Sequence, residues 1–251
     1  MNTLFRRTLT VIMLSGALIL GVMWNLSLAS EKAADEQVFV FGLTAGDLGN
    51  IDPMGGIVLQ DKPIKHHVFG SLVRHPLGDC NSLDFEPDLA TKWELSSDKL
   101  TWTFHLRKGV KWHWEYGEFT ADDVVYTFDR IKNSKASAFR AEYSNFRDVK
   151  AVDKYTVKIV TFKPEAFLLT KVANYFGGFI VCKKALEEAG AFDRTIKPVK
   201  REVVGTGQFK FVNYEAKGRI TLARNEEYWA GRPFIEKAVF KYIPDDGARE
   251  I

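Results

Sequence analysis

Leu100-Thr101-Trp102-Thr103-Phe104-His105-Leu106-Arg107-Lys108-Gly109-Val110-Lys111-Trp112-His113 decides how this chain is read. Its first half alternates, with Trp102, Phe104 and Leu106 on one side of an extended backbone and Thr103 and His105 on the other, the period of a strand with one buried face. Ser96-Ser97-Asp98-Lys99 supplies a turn between Leu95 and Leu100, so the stretch predicts a hairpin. Downstream, Thr120-Ala121-Asp122-Asp123 offers an N-cap hydroxyl and first-turn carboxylates, followed by the helical stripe Val124, Val125, Phe128 and Ile131. Trp102, Phe104 and Leu106 are therefore expected to share a core with Val124, Val125 and Phe128.

The surrounding segments interleave strands and helices. Val38-Phe39-Val40-Phe41 reads as a buried strand ending at Gly42, and residues 58–73 as a helix whose defect is Pro63. Residues 156–161 predict a strand, 164–174 a helix opened by proline, and 183–189 a short helix stopped by Gly190. Residues 208–214 and 219–224 alternate about the turn Glu215-Ala216-Lys217-Gly218, and 238–243 add a strand. The class is α/β, and no period of 20 to 50 residues suggests a solenoid or propeller. Residues 42–56, with five glycines, Asp47, Asn50, Asp52 and Pro53, form a loop of unusual length.

The chain has 251 residues, 46% hydrophobic and 27% charged, enough for a substantial core. Lys plus Arg number 35 against 32 Asp plus Glu, and Arg6 and Arg7 precede any acidic residue, so the remaining body is close to neutral and nucleic acid is not expected as a partner. Arg6 and Arg7, the apolar run from Leu9 to Trp24 and Ser27-Leu28-Ala29 read as a signal peptide over residues 1–29, cleaved before Ser30. The alternative is an uncleaved anchor, since residues 8–29 are about long enough to span a bilayer. Cys80 and Cys182 are the two cysteines; their spacing leaves a disulfide open, and neither lies in a metal-binding pattern.

No catalytic residue, metal site or cofactor motif emerges. His66, His67, His75, His105 and His113 lack metal-ligand spacing, and a satisfied or solvated imidazole is the expectation for each. Nucleophile elbows, HExxH and P-loops are absent, and Gly205-Thr206-Gly207 lacks the third glycine of a phosphate cradle. Asp122 and Asp123 are explained by the helix start. Three rings crowd into Lys111-Trp112-His113-Trp114-Glu115-Tyr116, and they cannot all point inward, which makes Trp114 a candidate for lining a cleft; a packed loop is the equal alternative.

Phe85-Glu86-Pro87-Asp88-Leu89-Ala90-Thr91-Lys92-Trp93-Glu94, the stretch from Leu100 to His113, Phe119 to Tyr126, Val152 to Val157, Gly205 to Phe209 and Asn225 to Pro233 together resemble the extracellular solute-binding proteins, family 5, of ABC importers for dipeptides, oligopeptides, nickel chelates and some sugars. The likeness runs from Val38 to Ile251 in order. It departs at His113-Trp114-Glu115-Tyr116-Gly117-Glu118, where the family has a shorter turn, and at Gln208, where proline is common. The resemblance implies a periplasmic-binding-protein-like (type II) two-lobe fold, with residues 30–251 supplying most of the first lobe. Residues 245–251 read as a helix begun and not finished, in keeping with a break before the second lobe; the alternative is a frayed polar tail after the last strand.

The resemblance further implies ligand contacts at Asp47, Asn50 and Asp52 and at Tyr175 and Phe176, beside Gly177-Gly178. The alternative for the loop is a plain turn with capping side chains. The implied function is capture of a peptide-like solute outside the cytoplasmic membrane, in the periplasm or its equivalent, and delivery to an ABC permease, by a protein monomeric when complete. A membrane-tethered receptor or chaperone-like interaction protein on the same fold is the alternative, and an exported hydrolase lacks an identifiable nucleophile.

Overall fold

The structure, a computed structural model, describes residues 37–44, 47–76, 78, 84–175, 177–243 and 245. Expectations for the leader, for Cys80, for the side chain of Tyr175, for Phe176 and for residues 246–251 fall outside what is described. Among the described residues, strands β1 (Val38–Leu43), β8 (Phe209–Glu215), β9 (Arg219–Arg224) and β10 (Lys237–Tyr242) form one sheet in the order β1-β10-β9-β8. Strands β4 (Ala90–Leu95), β5 (Thr101–Leu106), β6 (Phe146–Asp153) and β7 (Thr156–Thr161) form a second, ordered β4-β5-β7-β6. A short antiparallel pair, β2 (Val73–Arg74) and β3 (Glu86–Pro87), completes the strands described. The helices are α1 (Lys62–Val68), α2 (Ala121–Asn133), α3 (Leu168–Thr170) and α4 (Lys183–Glu188).

The hairpin forms as the alternation predicts. Trp93 pairs with Phe104 across β4 and β5, and Phe104 with Val157 across β5 and β7. Phe104, Leu106, Val124 and Phe128 are buried in one cluster, and Trp102 and Val125 pack at its margin. Thr120 and Asp123 close a capping box at the start of α2. Asp123 also accepts from the Lys183 amide at 3.0 Å and the Trp112 indole at 3.3 Å, so its carboxylate fastens α2 to α4 and to the aromatic loop. A second cluster lies against the other sheet, where Ile64, Val68 and Phe69 meet Phe211, Ile220, Leu222 and Phe240.

Three expectations are corrected. Val38, Phe39, Val40 and Phe41 are 41–52% exposed, because β1 lies at the edge of its sheet rather than inside it. The helix expected over 58–73 is a 3-10 turn at Leu59–Asp61 followed by α1, with Pro63 in its first turn where no amide donor is needed. It stops at Phe69, whose backbone is extended. The helix expected over 164–174 is the single turn α3 continued by a π-helical stretch, Lys171–Tyr175. The Lys171 carbonyl accepts from the Tyr143 hydroxyl at 2.7 Å, so its partner comes from outside the helix.

The segment Gly205-Thr206-Gly207 lies directly against the end of α1. A methyl group on Gly205 would sit 1.8 Å from the Val68 carbonyl oxygen, and one on Gly207 would sit 2.3 Å from that of His67. Here the glycines serve backbone contact. His113 seals this junction: its Nε2 lies 2.9 Å from the Gly207 carbonyl, and its Nδ1 accepts from the Gly205 amide at 3.3 Å. Burial pushes this imidazole down to about 4, so it is neutral and donates through Nε2.

Candidate functional site: the loop between the two cores

The long loop crosses between the clusters, Ile51 belonging to the second and Met54 to the first. Its polar residues are held from below. The Asp61 carboxylate, itself buried, accepts from the Gly49 amide at 3.3 Å and the Asn50 amide at 2.6 Å. Burial raises its pKa, against the pull of those two amides. The Asn50 side chain accepts from the Asp52 amide at 2.8 Å and donates to the Gly55 carbonyl at 3.1 Å, closing the loop upon itself. Asp52 caps the 3-10 turn Pro53–Gly55 through the Met54 amide at 3.0 Å.

Asp52 is fully buried, and its oxygens are taken by Arg130 and by the amides of Met54 and Ile196. Arg130 also donates from Nε to the carbonyls of Ala191 and Phe192 and from Nη2 to that of Arg194. The pair thus ties the loop, α2 and residues 191–196 into one unit. Lys65, also buried, donates to the Asp52 carbonyl at 2.9 Å and the Gly56 carbonyl at 3.4 Å, and burial lowers its pKa.

Asp47 lies apart from this knot. It accepts from the Tyr214 hydroxyl at 2.5 Å and the Lys217 amide at 2.9 Å, which hold its carboxyl below the usual range and anchor the loop to the turn between β8 and β9. Gly177 does approach the loop: a side chain there would meet Phe139 at 2.8 Å and the Pro53 carbonyl at 3.3 Å. Pro53, Gly56, Ile57, Val58, Lys62, Lys65, Phe139 and Phe179 line with it a small hollow of about 20 Å³, room for about one water. Ile57 and Leu59 beside it are exposed at 48% and 72%. Trp114 is elsewhere, with the Lys200 Nζ 3.6 Å from its ring centroid.

Asn50 and Asp52 thus stand in the loop whose Pro53 the Gly177 segment approaches, while Asp47 and Trp114 occupy separate places. Asp52 has the capping role that was the alternative for the loop. Arg130, Lys65 and Asp61, which organise the loop, belong to no motif in the sequence. Their signal was positional: Arg130 stands beside Phe128 and Ile131 on the buried side of α2, and Lys65 lies between Ile64 and Val68.

The fold is of the type II periplasmic-binding-protein-like class, which the chain shares with its neighbours among solved structures. The chain is similar to MoaA from A. tumefacien R10 in complex with mannopinic acid, with a TM-score of 0.79 and 35% identity over 86% of this chain and 42% of that one. It is likewise similar to DppA from Helicobacter pylori in complex with the peptide STSA, with a TM-score of 0.75 and 28% identity over 88% of this chain and 46% of that one. Residues 84–250 match the bacterial extracellular solute-binding proteins, family 5 (middle), and the chain belongs to that family. Among curated relatives, the dipeptide-binding protein of Escherichia coli K12 is 36% identical over 202 residues, 72% of this chain and 36% of the relative. Heme-binding protein A of Haemophilus influenzae is 33% identical over 201 residues, again 72% and 36%. The chain thus spans about 36% of the length of these two relatives. Members of the family are periplasmic or extracellular, and no helix among the described residues is long and apolar enough to cross a membrane.

Proposed function

We propose that this chain forms one face of a solute-binding component of an ABC importer, presenting the loop 47–58 and the segment 175–179 to a peptide-like solute and handing it to a permease. The observation that carries the reading is the pinned loop itself. Buried groups hold its backbone and its Asp52 side chain, while Ile57 and Leu59 are left exposed beside the small hollow. Such a surface is organised before any ligand arrives, so little ordering entropy is spent on binding. The peptide-binding names among its relatives support a peptide-like ligand. In a two-lobed binder, closure draws its free energy from contacts that both lobes make. The capping side chain Asp52 then acts by shaping the loop, whereas Asn50, Tyr175 and Phe176 are the residues proposed to meet the ligand. We further propose that residues 1–29 are removed on export, and N-terminal sequencing of the exported protein that recovered Met1 would overturn that.

One lobe supplies about half of the contacts, and half of a micromolar binding free energy of about 8 kcal/mol corresponds to a dissociation constant on the order of a millimolar. Backbone amide resonances of the 251-residue chain should therefore shift, saturably and in the millimolar range, when dipeptides and tripeptides are added, with the largest shifts in residues 49–58 and 177–179. A chain whose amides there stay unmoved by peptides, or which binds them with micromolar affinity on its own, would sink the reading.

A further inference from the structure

The loop after Trp112 is strained, and its chemistry is not used by the hollow beside Lys65. Trp114 and Glu115 adopt φ of 57° and 63°, a left-handed conformation that residues with a Cβ rarely hold, and two in succession are rarer still. In this conformation the Trp114 Nε1–H is buried without an acceptor among the described residues. Two ammonium groups share that same ring, Lys200 Nζ at 3.6 Å and Lys210 Nζ at 5.5 Å from its centroid. One cation over an indole is favourable, but two over one ring repel each other. Tyr116 continues the region: its hydroxyl donates to the Arg201 carbonyl at 3.5 Å and bonds Glu188 as well, and its ring centroid lies 6.0 Å from Lys184 Nζ. A cleft follows, lined by Tyr116, Glu188, Arg194, Lys197, Arg201 and Glu202, in which Arg194 and Glu202 neutralise each other at 2.7 Å. Five cations, Lys184, Lys197, Lys200, Arg201 and Lys210, belong to this region with the acids Glu115 and Glu188; Glu227 pairs with Lys111 and also feels the charge of Lys210.

We propose that the Trp114 loop and the flanking Lys200, Arg201 and Lys210 form a binding site for an oxyanion of the phosphate type. The anion accepts from the orphaned indole N–H and sits between the two ammonium groups, supplying both the missing acceptor and the missing charge. A bare hydrophobic solute would do neither. The same chemistry is presented by a free phosphate-bearing solute and by the headgroups of an anionic membrane. The proposal stands independently of the peptide reading of the loop 47–58.

The indole N–H resonances of the protein, with that of Trp114 assigned by its loss in Trp114→Phe, provide the test. Inorganic phosphate, at ionic strength held constant with sodium chloride, should move the Trp114 resonance saturably and leave the other indoles in place. If phosphatidylglycerol vesicles move it and phosphate does not, the anion site is confirmed with a lipid surface as its source. In the double variant Lys200→Gln/Lys210→Gln the response should weaken about tenfold or more, the loss expected when two charge-assisted contacts go. Both substituted side chains lie at least partly in solvent, and the unmoved indoles report that the fold persists. A Trp114 resonance indifferent to both probes, or an equal response in the double variant, would overturn the proposal.

Discussion

The carboxylate of Asp52 and the guanidinium of Arg130 meet as parallel forks, Oδ1 to Nη1 at 3.1 Å and Oδ2 to Nη2 at 2.7 Å, with both side chains withdrawn from solvent. Such a pair contributes little net stability relative to apolar residues of the same volume, but breaking it leaves one charge buried and alone. Its effect is on position. It sets the loop between two cores and holds residues 191–196 against the same helix.

Replacing one partner should therefore cost more than replacing both. Arg130→Met or Asp52→Asn is expected to destabilise by about 3 to 5 kcal/mol in urea unfolding, and the double variant by clearly less than the sum. Additivity within about 0.5 kcal/mol would show that the two groups do not act as a pair.

Phe104 is fully buried, opposite Trp93 on one neighbouring strand and Val157 on the other. Phe104→Ala should cost about 3 to 5 kcal/mol, since the sheet on both sides limits collapse around the cavity. A loss below about 1 kcal/mol would place that face of β5 in solvent.

The junction sealed by His113 should fail in mild acid. Its pKa falls from 6.5 unfolded to about 4 folded through burial. Between those values the unfolded chain binds a proton that the folded chain refuses, so the contribution is complete above pH 6.5 and is lost as pH falls toward 4. The loss is on the order of 3 kcal/mol. His113→Gln should be less stable at neutral pH and show a shallower decline over that window, measured by unfolding at a series of pH values. Parallel declines in the two proteins would mean that other groups carry the acid sensitivity.

Two glycines separate steric from conformational demand. Gly205→Ala drives a methyl into the Val68 carbonyl and should cost about 3 kcal/mol or more, because backbone on both sides must yield. Gly109, at φ +74°, has open space around its missing side chain, so Gly109→Ala should cost only about 1 kcal/mol. Thermal unfolding of both variants distinguishes them, and equal losses would contradict the close approach at Gly205.

What the sequence by itself determined was local. The hairpin β4–β5, helix α2 with its capping box and the pair β8–β9 were legible because alternation, cap residues and turns act over a few neighbouring positions. The loop of residues 42–56 was legible as a place of interest for the same reason, since no element accommodates its glycines and proline. The fate of its side chains was not. Asp52 looked as ready to meet a ligand as Asn50, and only a guanidinium 78 residues away turned it into a buried anchor. Trp114 was singled out by crowding, but the two lysines on its ring come from segments more than eighty residues later. Likewise Val38-Phe39-Val40-Phe41 carries the composition of an interior strand and lies at an edge, because strand order is a property of pairing between distant segments. Tertiary structure decided these points because burial and charge pairing are summed over space, whereas the periodicities that reveal strands and helices are written along the chain.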